Sequence, residues 1–554
     1  LGRKLMKKIA QSENIEDFLD SNYIYVDKTG LISNLNAMIN TEQKYVCISR
    51  PRRFGKSVTV GMIGAYYDKC ADSRHLFENL ELSTHENWDR YLAGFDVLRI
   101  VTTDFMKIKN KKLTIPEFME NLQRKASVDI VKAYNDVTYD DKEDLIQTME
   151  NLYQEKGNQF VILIDEWDAV FREYKDDPDG QGLYLDFLRD WLKDKQYVAL
   201  AYMTGILPIK KYGRHSALNM FNEYSMIAPL QFARYTGFTE AEVIRLCNDY
   251  GRRFEDIQEW YDGYVVTDAV PPDPEYRLQK QNGEGLNPRK WELYSPLSVV
   301  KAVTSGVNQD YWNQTETYEA LSDYIARNYD GLREDITILM AGGRKKIFTG
   351  NYRNDMTSFN GKDDVLTLLI HLGYLGYDFE RSEVFVPNRE VLDEFRASTR
   401  TGEWSYLTRM LDDSGRLLEA TWRHDADEVA RRLEMVHDGV ANGTYNSEAA
   451  LSYAVQLAYY SAHNYYTLIP ELDSGKGYVD LAYIPAPEFP DIPALVIELK
   501  YNKTAHTALD QIRDRRYPDR LERYKGNIII VGINYDKEAG SGDYKHHSCI
   551  IERA

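Results

Sequence analysis

The chain has 554 residues, several times the ~100 to 200 residues of one domain, so it is expected to fold into more than one compact unit. Hydrophobic residues make up 43% of it and aromatic residues 12%, which excludes a disordered chain, because such chains are poor in apolar side chains. There are 87 acidic and 68 basic residues, a formal charge of -19, so unselective coating of nucleic acid is disfavoured and any nucleic-acid contact requires a local basic surface.

Cysteine usage and hydropathy favour a soluble, cytoplasmic protein without a membrane partner. The cysteines stand far apart and form no C-x-x-C pair, so neither a disulfide scaffold nor a cysteine zinc site is predicted. No apolar run approaches the ~20 residues of a membrane span, and the first residues lack a secretory apolar region.

A phosphate-binding loop is predicted between a strand at 45–48 and a helix at 58–67. In such a loop, backbone N–H groups bind phosphate oxygens, a lysine bridges the β- and γ-phosphates, and the next hydroxyl binds Mg²⁺. Gly55, Lys56 and Ser57 match these roles. The residues expected to bind ATP are Arg50, Pro51, Arg52, Arg53, Phe54, Gly55, Lys56, Ser57 and Val58. Since Arg50 stands where the usual pattern has a glycine, a basic loop that merely caps a helix is the alternative.

An acidic motif follows about a hundred residues later, after a further predicted strand at 96–102. The apolar run 160–164 is typical of a parallel strand buried on both faces, and it ends in Asp165 and Glu166. Asp165 is expected to bind Mg²⁺ through water, and Glu166 to polarise the water that attacks the γ-phosphate. Together the two motifs predict a P-loop ATPase.

Another buried strand is predicted at 198–203, and it ends at Thr204. ATPases of the additional-strand type place a polar γ-phosphate sensor between their two Walker strands, so Thr204 is the candidate; the alternative is a threonine that only ends a strand. Arg52, Arg53 and Arg214 are candidate arginine fingers for a homo-oligomer, and ordinary solvated arginines are the alternative.

A wider resemblance is carried by residues 25–29, 50–57, 163–168, 204–206, 237–243, 260–264 and 294–296. These segments resemble the bacterial AAA-ATPase-like family, whose members typically carry a C-terminal PD-(D/E)XK nuclease domain. The resemblance implies ATP hydrolysis and cleavage of nucleic acid, and an arginine at position 50 is usual in this family.

The middle of the chain is predicted to be mainly helical. An amphipathic helix at 240–250, a packed turn at 260–264 and an exposed loop at 268–288 indicate a lid. The segments 365–377 and 383–386, the second followed by Pro387, predict a helix and then a hairpin, as in a winged-helix-like connector. The predicted α/β architecture is thus an ATPase core with a parallel sheet (1–235), a helical lid (236–345), a connector (346–440) and a restriction-endonuclease-like domain (441–554).

A metal-nuclease arrangement is predicted in the last third of the chain. A helix begins near Glu448, and strands at 477–484 and 494–500 contain Asp480, Glu498 and Lys500. A carboxylate beside an apolar core is costly unless it is paired or bound to metal. Strand alternation puts Glu498 and Lys500 on one face, where the lysine can reach the water or phosphate that the metal activates. Taken alone, E-x-K is more often a plain charge pair.

The resemblance assigns roles at these positions. It implies Asp480 and Glu498 as Mg²⁺ ligands, Lys500 as the catalytic lysine, and Gln511 and Tyr517 as supporting residues. Glu448 is the implied helix-borne acid, with Glu471 as its rival, although Glu448 also fits a residue that only stabilises a helix N-terminus. A basic run then follows, which either binds phosphates or is a solvated helix face: Arg513, Arg515, Arg516, Arg520, Arg523 and Lys525.

The expected function is therefore ATP hydrolysis coupled to Mg²⁺-dependent cutting of nucleic acid. DNA is preferred over RNA only because the nuclease superfamily usually cuts DNA. The alternatives are a regulatory ATPase whose nuclease-like domain is a non-cutting interaction module, and an ATPase that acts as a slow binding sensor.

Overall fold

The computed structural model describes most of the chain. For some residues, among them Glu448 and Glu471, the description covers the backbone and not the side chain. The described residues are 24–70, 72–209, 218–268, 289–312, 331–340, 342–352, 359–398, 405–439, 448–473, 478–486, 489–514, 521, 524, 526–537 and 546–553.

The described part contains eighteen strands. In chain order they are β1 Tyr45–Ser49, β2 Asp96–Val101, β3 Lys107–Ile108, β4 Lys111–Lys112, β5 Phe160–Asp165, β6 Val198–Gly205, β7 Asn222–Tyr224, β8 Phe238–Thr239, β9 Tyr264–Asp268, β10 Arg289–Tyr294, β11 Lys345–Lys346, β12 Gly376–Asp378, β13 Glu383–Phe385, β14 Tyr466–Asp473, β15 Tyr478–Pro485, β16 Ala494–Tyr501, β17 Ile528–Tyr535 and β18 His547–Arg553.

The α-helices of the same residues are α1 Gly30–Met38, α2 Lys56–Tyr67, α3 Arg74–Phe77, α4 Ile115–Ala133, α5 Leu145–Lys156, α6 Ala169–Glu173, α7 Pro178–Leu192, α8 Glu240–Asp249, α9 Phe254–Tyr261, α10 Pro296–Ser305, α11 Leu332–Met340, α12 Lys362–Leu372, α13 Arg389–Ser398, α14 Ser405–Trp422, α15 Ala426–Gly439, α16 Glu448–Ala458 and α17 Ala505–Asp514. Among the described helices, none is long and apolar enough to cross a membrane.

The chain divides into two compact units. The first comprises residues 1–314 and 346–391, and the second comprises 315–345 and 392–554. The finer division into core, lid, connector and nuclease domain stays a prediction.

The first unit is built on a five-stranded parallel sheet in the order β2-β5-β6-β1-β7. β5 and β6 are buried along their whole length, as their continuous apolar runs predict. Because β6 lies between β5 and β1, Thr204 pairs in register with both Asp165 and Ile48. The carboxyl ends of β1 and β5, the strands that carry the two predicted ATPase motifs, therefore flank the carboxyl end of β6 at the same edge of the sheet.

The remainder of the first unit contains more strand than its sequence pattern predicts. The helix expected at 240–250 is α8, and its first turn is fixed by a capping box between Thr239 and Glu242. The same region also forms a three-stranded sheet in the order β8-β10-β9. The predicted helix and hairpin of the connector are α12, β12 and β13, and the loop predicted at 268–288 lies almost wholly outside the described residues.

The second unit contains a mixed five-stranded sheet in the order β14-β15-β16-β17-β18. Its central pair, β16 and β17, is parallel and is connected by α17, while the other neighbours are antiparallel. α17 packs closely on β17 because residue 532 is a glycine: a Cβ there would lie 2.7 Å from the carbonyl oxygen of Ala505 and 3.2 Å from Ala508. Glu498 pairs with Gly532, so this packing adjoins the predicted nuclease residues.

We predict that Gly532→Ala destabilises the second unit by about 1 to 3 kcal/mol, because the methyl group meets helix backbone that cannot rotate away. Native-state hydrogen exchange of the β17 amides measures the effect within this unit.

Gly415→Ala is the matched control, since this glycine lies in α14 and a Cβ added to it would have nothing within 4 Å. It should leave stability unchanged or raise it by up to about 1 kcal/mol. Equal exchange rates in the two variants would contradict the packing argument.

Candidate active sites

The phosphate loop connects β1 to α2, as its sequence predicts. Arg53 and Gly55 adopt left-handed backbone conformations, with φ values of 70° and 82°. Gly55 adopts this conformation readily because it has no Cβ, whereas at Arg53 it costs about 1 to 2 kcal/mol. The loop ends at the N-terminus of α2, where the N–H groups of the first turn favour a bound phosphate.

Lys56 folds over its own loop. Its Nζ donates to the carbonyl oxygens of Arg50, at 3.0 Å, and Pro51, at 2.7 Å. Burial lowers the pKa of Lys56 to about 8, and the carboxylates of Asp168 and Asp165 oppose this shift. The ammonium is therefore close to the acidic motif and is bound by carbonyl groups of the loop.

The Arg50 side chain points into the interior of the protein. It is fully buried, and its Nη1 donates to the carbonyl oxygens of Ser49 and Tyr224, both at 2.9 Å. Burial lowers its pKa to about 10. Arg50 thus ties the start of the loop to β7, and only its backbone faces Lys56.

Pro51 and Phe54 also anchor the loop. A Cβ added at Gly373 would lie 2.7 Å from Pro51, so these residues are in close contact. The Phe54 ring packs edge-on against Tyr264, with centroids 5.2 Å apart. The remaining loop side chains are more open: Arg52 is partly exposed, and Arg53, Ser57 and Val58 are exposed. Arg214 lies outside the described residues.

Asp165 and Glu166 lie at the carboxyl end of β5, as predicted. Asp165 is 2% exposed, and its Oδ1 accepts the N–H of Glu166 at 3.0 Å. Glu166 has a φ of 53°, which turns the chain sharply after the strand. The turn gives the two adjacent carboxylates different surroundings, because Asp165 is buried and the Glu166 side chain is 41% exposed.

Two charged residues that the sequence pattern does not assign complete this motif. Asp168 is fully buried, and its Oδ2 accepts the N–H groups of Ile206, at 3.0 Å, and Leu207, at 2.9 Å. Arg172 lies between Asp168 and Glu166: its Nε is 3.4 Å from the first carboxylate and its Nη2 is 3.7 Å from the second. The spacing of four between Asp168 and Arg172 at the start of a helix is the signal that indicates this pair.

The hydroxyl of Thr204 donates to the carbonyl oxygen of Ile48, at 3.0 Å, and the residue is fully buried. The structure therefore places Thr204 between the two motif strands, as expected. The hydroxyl has one proton, and that proton forms the hydrogen bond from β6 to β1. Thr204 can therefore donate to a phosphate only if its hydrogen bond to Ile48 is broken first.

The three predicted nuclease residues converge at adjacent strands of the second unit. The backbone pairing of β15 with β16 ends at Leu481 and Ile497. Just beyond this pair, the Asp480 Oδ2 accepts a hydrogen bond from the N–H of Leu499, at 2.7 Å. A side-chain carboxylate thus replaces the strand backbone as acceptor. This bond brings Asp480 to β16 between Glu498 and Lys500.

Glu498 and Lys500 form a buried ion pair. The distance from Lys500 Nζ to Glu498 Oε1 is 3.0 Å, and Lys500 is 4% and Glu498 1% exposed. Lys500 also donates to the carbonyl oxygen of Leu499, at 3.0 Å. Since Glu498 pairs with Gly532, both side chains lie on the sheet face covered by α17.

The other predicted nuclease residues are placed only in part. Gln511 is partly exposed on α17, which packs on the face that carries Glu498. Glu448 begins α16 and Glu471 lies on β14, but their side chains are outside the description, as is all of Tyr517. Of the predicted basic run, Arg513 is described and pairs with Glu552 at 2.5 Å; the other members fall outside the described residues: Arg515, Arg516, Arg520, Arg523 and Lys525.

The donor set at the strand ends fits a hard divalent cation such as Mg²⁺, which prefers carboxylate and water oxygens. Asp480 and Glu498 supply two carboxylates on neighbouring strands. Among the described residues, no three acidic, histidine or cysteine side chains form a metal-binding group. Asp480 and Glu498 are therefore the two described carboxylates that could hold Mg²⁺ at this site.

Comparison with known proteins identifies a domain at each end of the chain. Residues 12–213 match a family described as predicted AAA-ATPase, and residues 451–543 match the PD-(D/E)XK nuclease superfamily. No curated protein matches the chain. A solved Walker-type ATPase of Pyrococcus abyssi aligns with 70% of this chain and 99% of its own, at 12% identity and a TM-score of 0.31, which is too low to support a conclusion. The chain thus carries an N-terminal domain of the predicted AAA-ATPase family and a C-terminal domain of the PD-(D/E)XK nuclease superfamily.

Proposed function

We propose that this protein hydrolyses ATP in its first unit and cuts nucleic acid, preferentially DNA, with Mg²⁺ in its second, and that the nucleotide state controls cutting. The observation that carries the proposal is the convergence of Asp480, Glu498 and Lys500 at adjacent strand ends. The phosphate loop beside Asp165 and Glu166 supports the ATPase half.

In the ATPase half, Lys56 exchanges its two carbonyl partners for the β- and γ-phosphates of ATP. The exposed Ser57 and the buried Asp165 are the residues that would hold Mg²⁺, which neutralises phosphate charge when bound. Glu166 is the partly exposed carboxylate at the strand end, so it is the group that orients the attacking water.

In the nuclease half, Asp480 and Glu498 would hold Mg²⁺, which activates water and stabilises charge on the scissile phosphate. Lys500 already lies against Glu498, so its ammonium can turn from the carboxylate to a phosphate oxygen without leaving the site. The N–H of Leu499 fixes the orientation of Asp480.

One observation favours a second candidate function. Glu498 already has a counter-charge in Lys500, and both side chains are almost fully buried, so the pair is electrostatically complete without a metal. A non-cutting interaction module could keep the same buried ion pair between Glu498 and Lys500. Activity measurements decide between the two functions.

Lys56→Ala should abolish ATP turnover, because no other lysine of the loop replaces the lost ammonium.

Glu166→Gln should retain nucleotide binding but slow hydrolysis by about 100-fold or more, since it removes the carboxylate base and keeps the shape of the side chain. Phosphate release and nucleotide affinity, measured side by side, separate these effects. Full turnover by Lys56→Ala would contradict the ATPase site, and wild-type turnover as slow as that of Glu166→Gln would show a binding sensor.

Asp480→Asn and Glu498→Gln should abolish Mg²⁺-dependent cutting of plasmid, linear and single-stranded substrates, because each removes a metal-binding charge while keeping the side-chain shape. Asp510→Asn is the matched control: its carboxylate is 70% exposed on α17 and should be dispensable. The assay is run with and without ATP, and cutting that does not depend on nucleotide would contradict only the proposed control.

Lys500→Ala should also abolish cutting, but it leaves the buried Glu498 carboxylate unpaired, at a cost of about 3 to 5 kcal/mol. The double variant Glu498→Gln/Lys500→Met removes both charges and should recover most of that stability in a thermal unfolding measurement. Unchanged DNA degradation by folded Lys500→Ala protein would refute the assignment of this site.

A further inference from the structure

A short lysine-rich hairpin lies in the first unit, outside both sites. It comprises residues 107–112, in which β3 pairs with β4, and we call it the basic hairpin. Four of its six residues are lysines, and all six are exposed. Lys109 and Asn110 form the turn with left-handed φ values of 48° and 67°, so the two strands reverse tightly and present their side chains to solvent.

The lysines of the basic hairpin fall into two groups. Lys107, Lys109 and Lys111 make no hydrogen bond or ion pair with residues that the structure describes. Lys112 is bound: its Nζ lies 2.7 Å from the carbonyl oxygen of Glu173 and 3.0 Å from its Oε2. Lys107 interacts electrostatically with Glu173, and Lys111 with Glu117. The hairpin itself contains no acidic residue, so it carries a local positive charge.

The basic hairpin is joined to the ATPase motif through α6. Lys112 lies over the Tyr174 ring, 4.4 Å from its centroid, and the Tyr174 hydroxyl donates to the carbonyl oxygen of Leu113. The preceding residues of α6 include Arg172, which contacts Glu166 and Asp168. The basic hairpin is therefore in direct contact with the end of the helix that carries Arg172.

The position in the sheet agrees with such a link. The basic hairpin follows the carboxyl end of β2, whose last residue, Val101, pairs with Asp165. A 3-10 helix, Thr102–Phe105, leads from this end of β2 towards the hairpin.

We propose that the basic hairpin is a docking surface for the phosphate backbone of nucleic acid, and that its occupancy is transmitted through Lys112, Glu173 and Arg172 to Glu166. Three ammonium groups with no ion pair to the described residues match a regularly spaced polyanion, and the chain, at a net charge of -19, needs such a local surface. A nucleic acid is favoured over an acidic protein because the same chain carries a nuclease-superfamily domain. The transmission step rests on the proposed ATPase function, whereas the docking step does not.

Docking is tested by neutralising the tip with Lys107→Gln/Lys109→Gln/Lys111→Gln, leaving Lys112 in place. The matched control, Lys132→Gln/Lys142→Gln/Lys156→Gln, removes the same charge from exposed or partly exposed lysines elsewhere in the first unit. Binding of a labelled DNA duplex and single strand is measured against salt concentration in EDTA, so that no cutting occurs. The tip variant should reduce the magnitude of the negative slope of log K against log salt by about 2 to 3, and the control should leave this slope unchanged.

A tip variant whose affinity and salt slope equal those of the wild type would overturn the docking proposal, as would binding of polyglutamate in preference to DNA. Thermal unfolding of both triple variants should match the wild type, because the changed side chains are on the surface.

Transmission is tested with Lys112→Met, which keeps the tip charges but removes the bonds to Glu173. Phosphorothioate-protected duplex should change the ATP turnover of the wild type. Lys112→Met should still bind DNA, with the magnitude of the slope of log K against log salt reduced by at most about one. Its ATP turnover should no longer change when the duplex is added. An unaltered response would overturn the link. Absence of ATP turnover in the wild type would instead contradict the proposed ATPase, and the docking result would stand or fall separately.

Discussion

Burial of charge at strand ends is the constraint on which both sites depend. A carboxylate or guanidinium without water costs several kcal/mol unless neighbouring groups compensate it. Asp168 is compensated by two backbone N–H groups and Arg172, and Glu498 by Lys500. Each compensation fixes the local geometry, because the partners are held by the strands and by the helix that follows a strand.

The two lysines illustrate the same constraint in different ways. Lys56 is bound by neutral carbonyl groups, so a negatively charged phosphate is a better partner than the ones it has. Lys500 is bound by a carboxylate, so a ligand must compete with an existing charge pair. Under the proposed function, an anion would therefore bind Lys56 at the first site, and at the second a cation bound to Glu498 would release Lys500.

Much of this arrangement could be predicted from the sequence. The apolar runs of β5 and β6 need burial on both faces, and the acids that follow must then lie at one sheet edge, so Asp165, Thr204 and the loop are brought together by strand order alone. Alternation along β16 likewise places Glu498 and Lys500 on one face. These predictions depend on the pattern of apolar and polar residues along each strand, which can be read from neighbouring residues alone.

The features that the sequence does not predict depend on contacts between distant segments. The loop motif groups Arg50 with the ligand-binding residues, but its side chain binds Tyr224 on a strand about 170 residues later. The contact of Arg172 with Glu166 is not predicted, because it depends on the sharp turn at φ 53°, which no neighbouring residue type indicates. The short strands β8 to β10 also escape prediction, since β9 and β10 are separated by a long segment and their pairing has no periodic signal.

The position of α6 likewise depends on contacts with distant segments. This helix is only five residues long, so its backbone bonds hold it weakly, and its position depends on side chains at both ends. Asp168 fixes its start to the turn after β6, while Lys112 and the Tyr174 hydroxyl fix its end to the hairpin. Both ends of this helix are thus held by other segments, and the Arg172 guanidinium between them contacts Glu166, the carboxylate proposed to orient water.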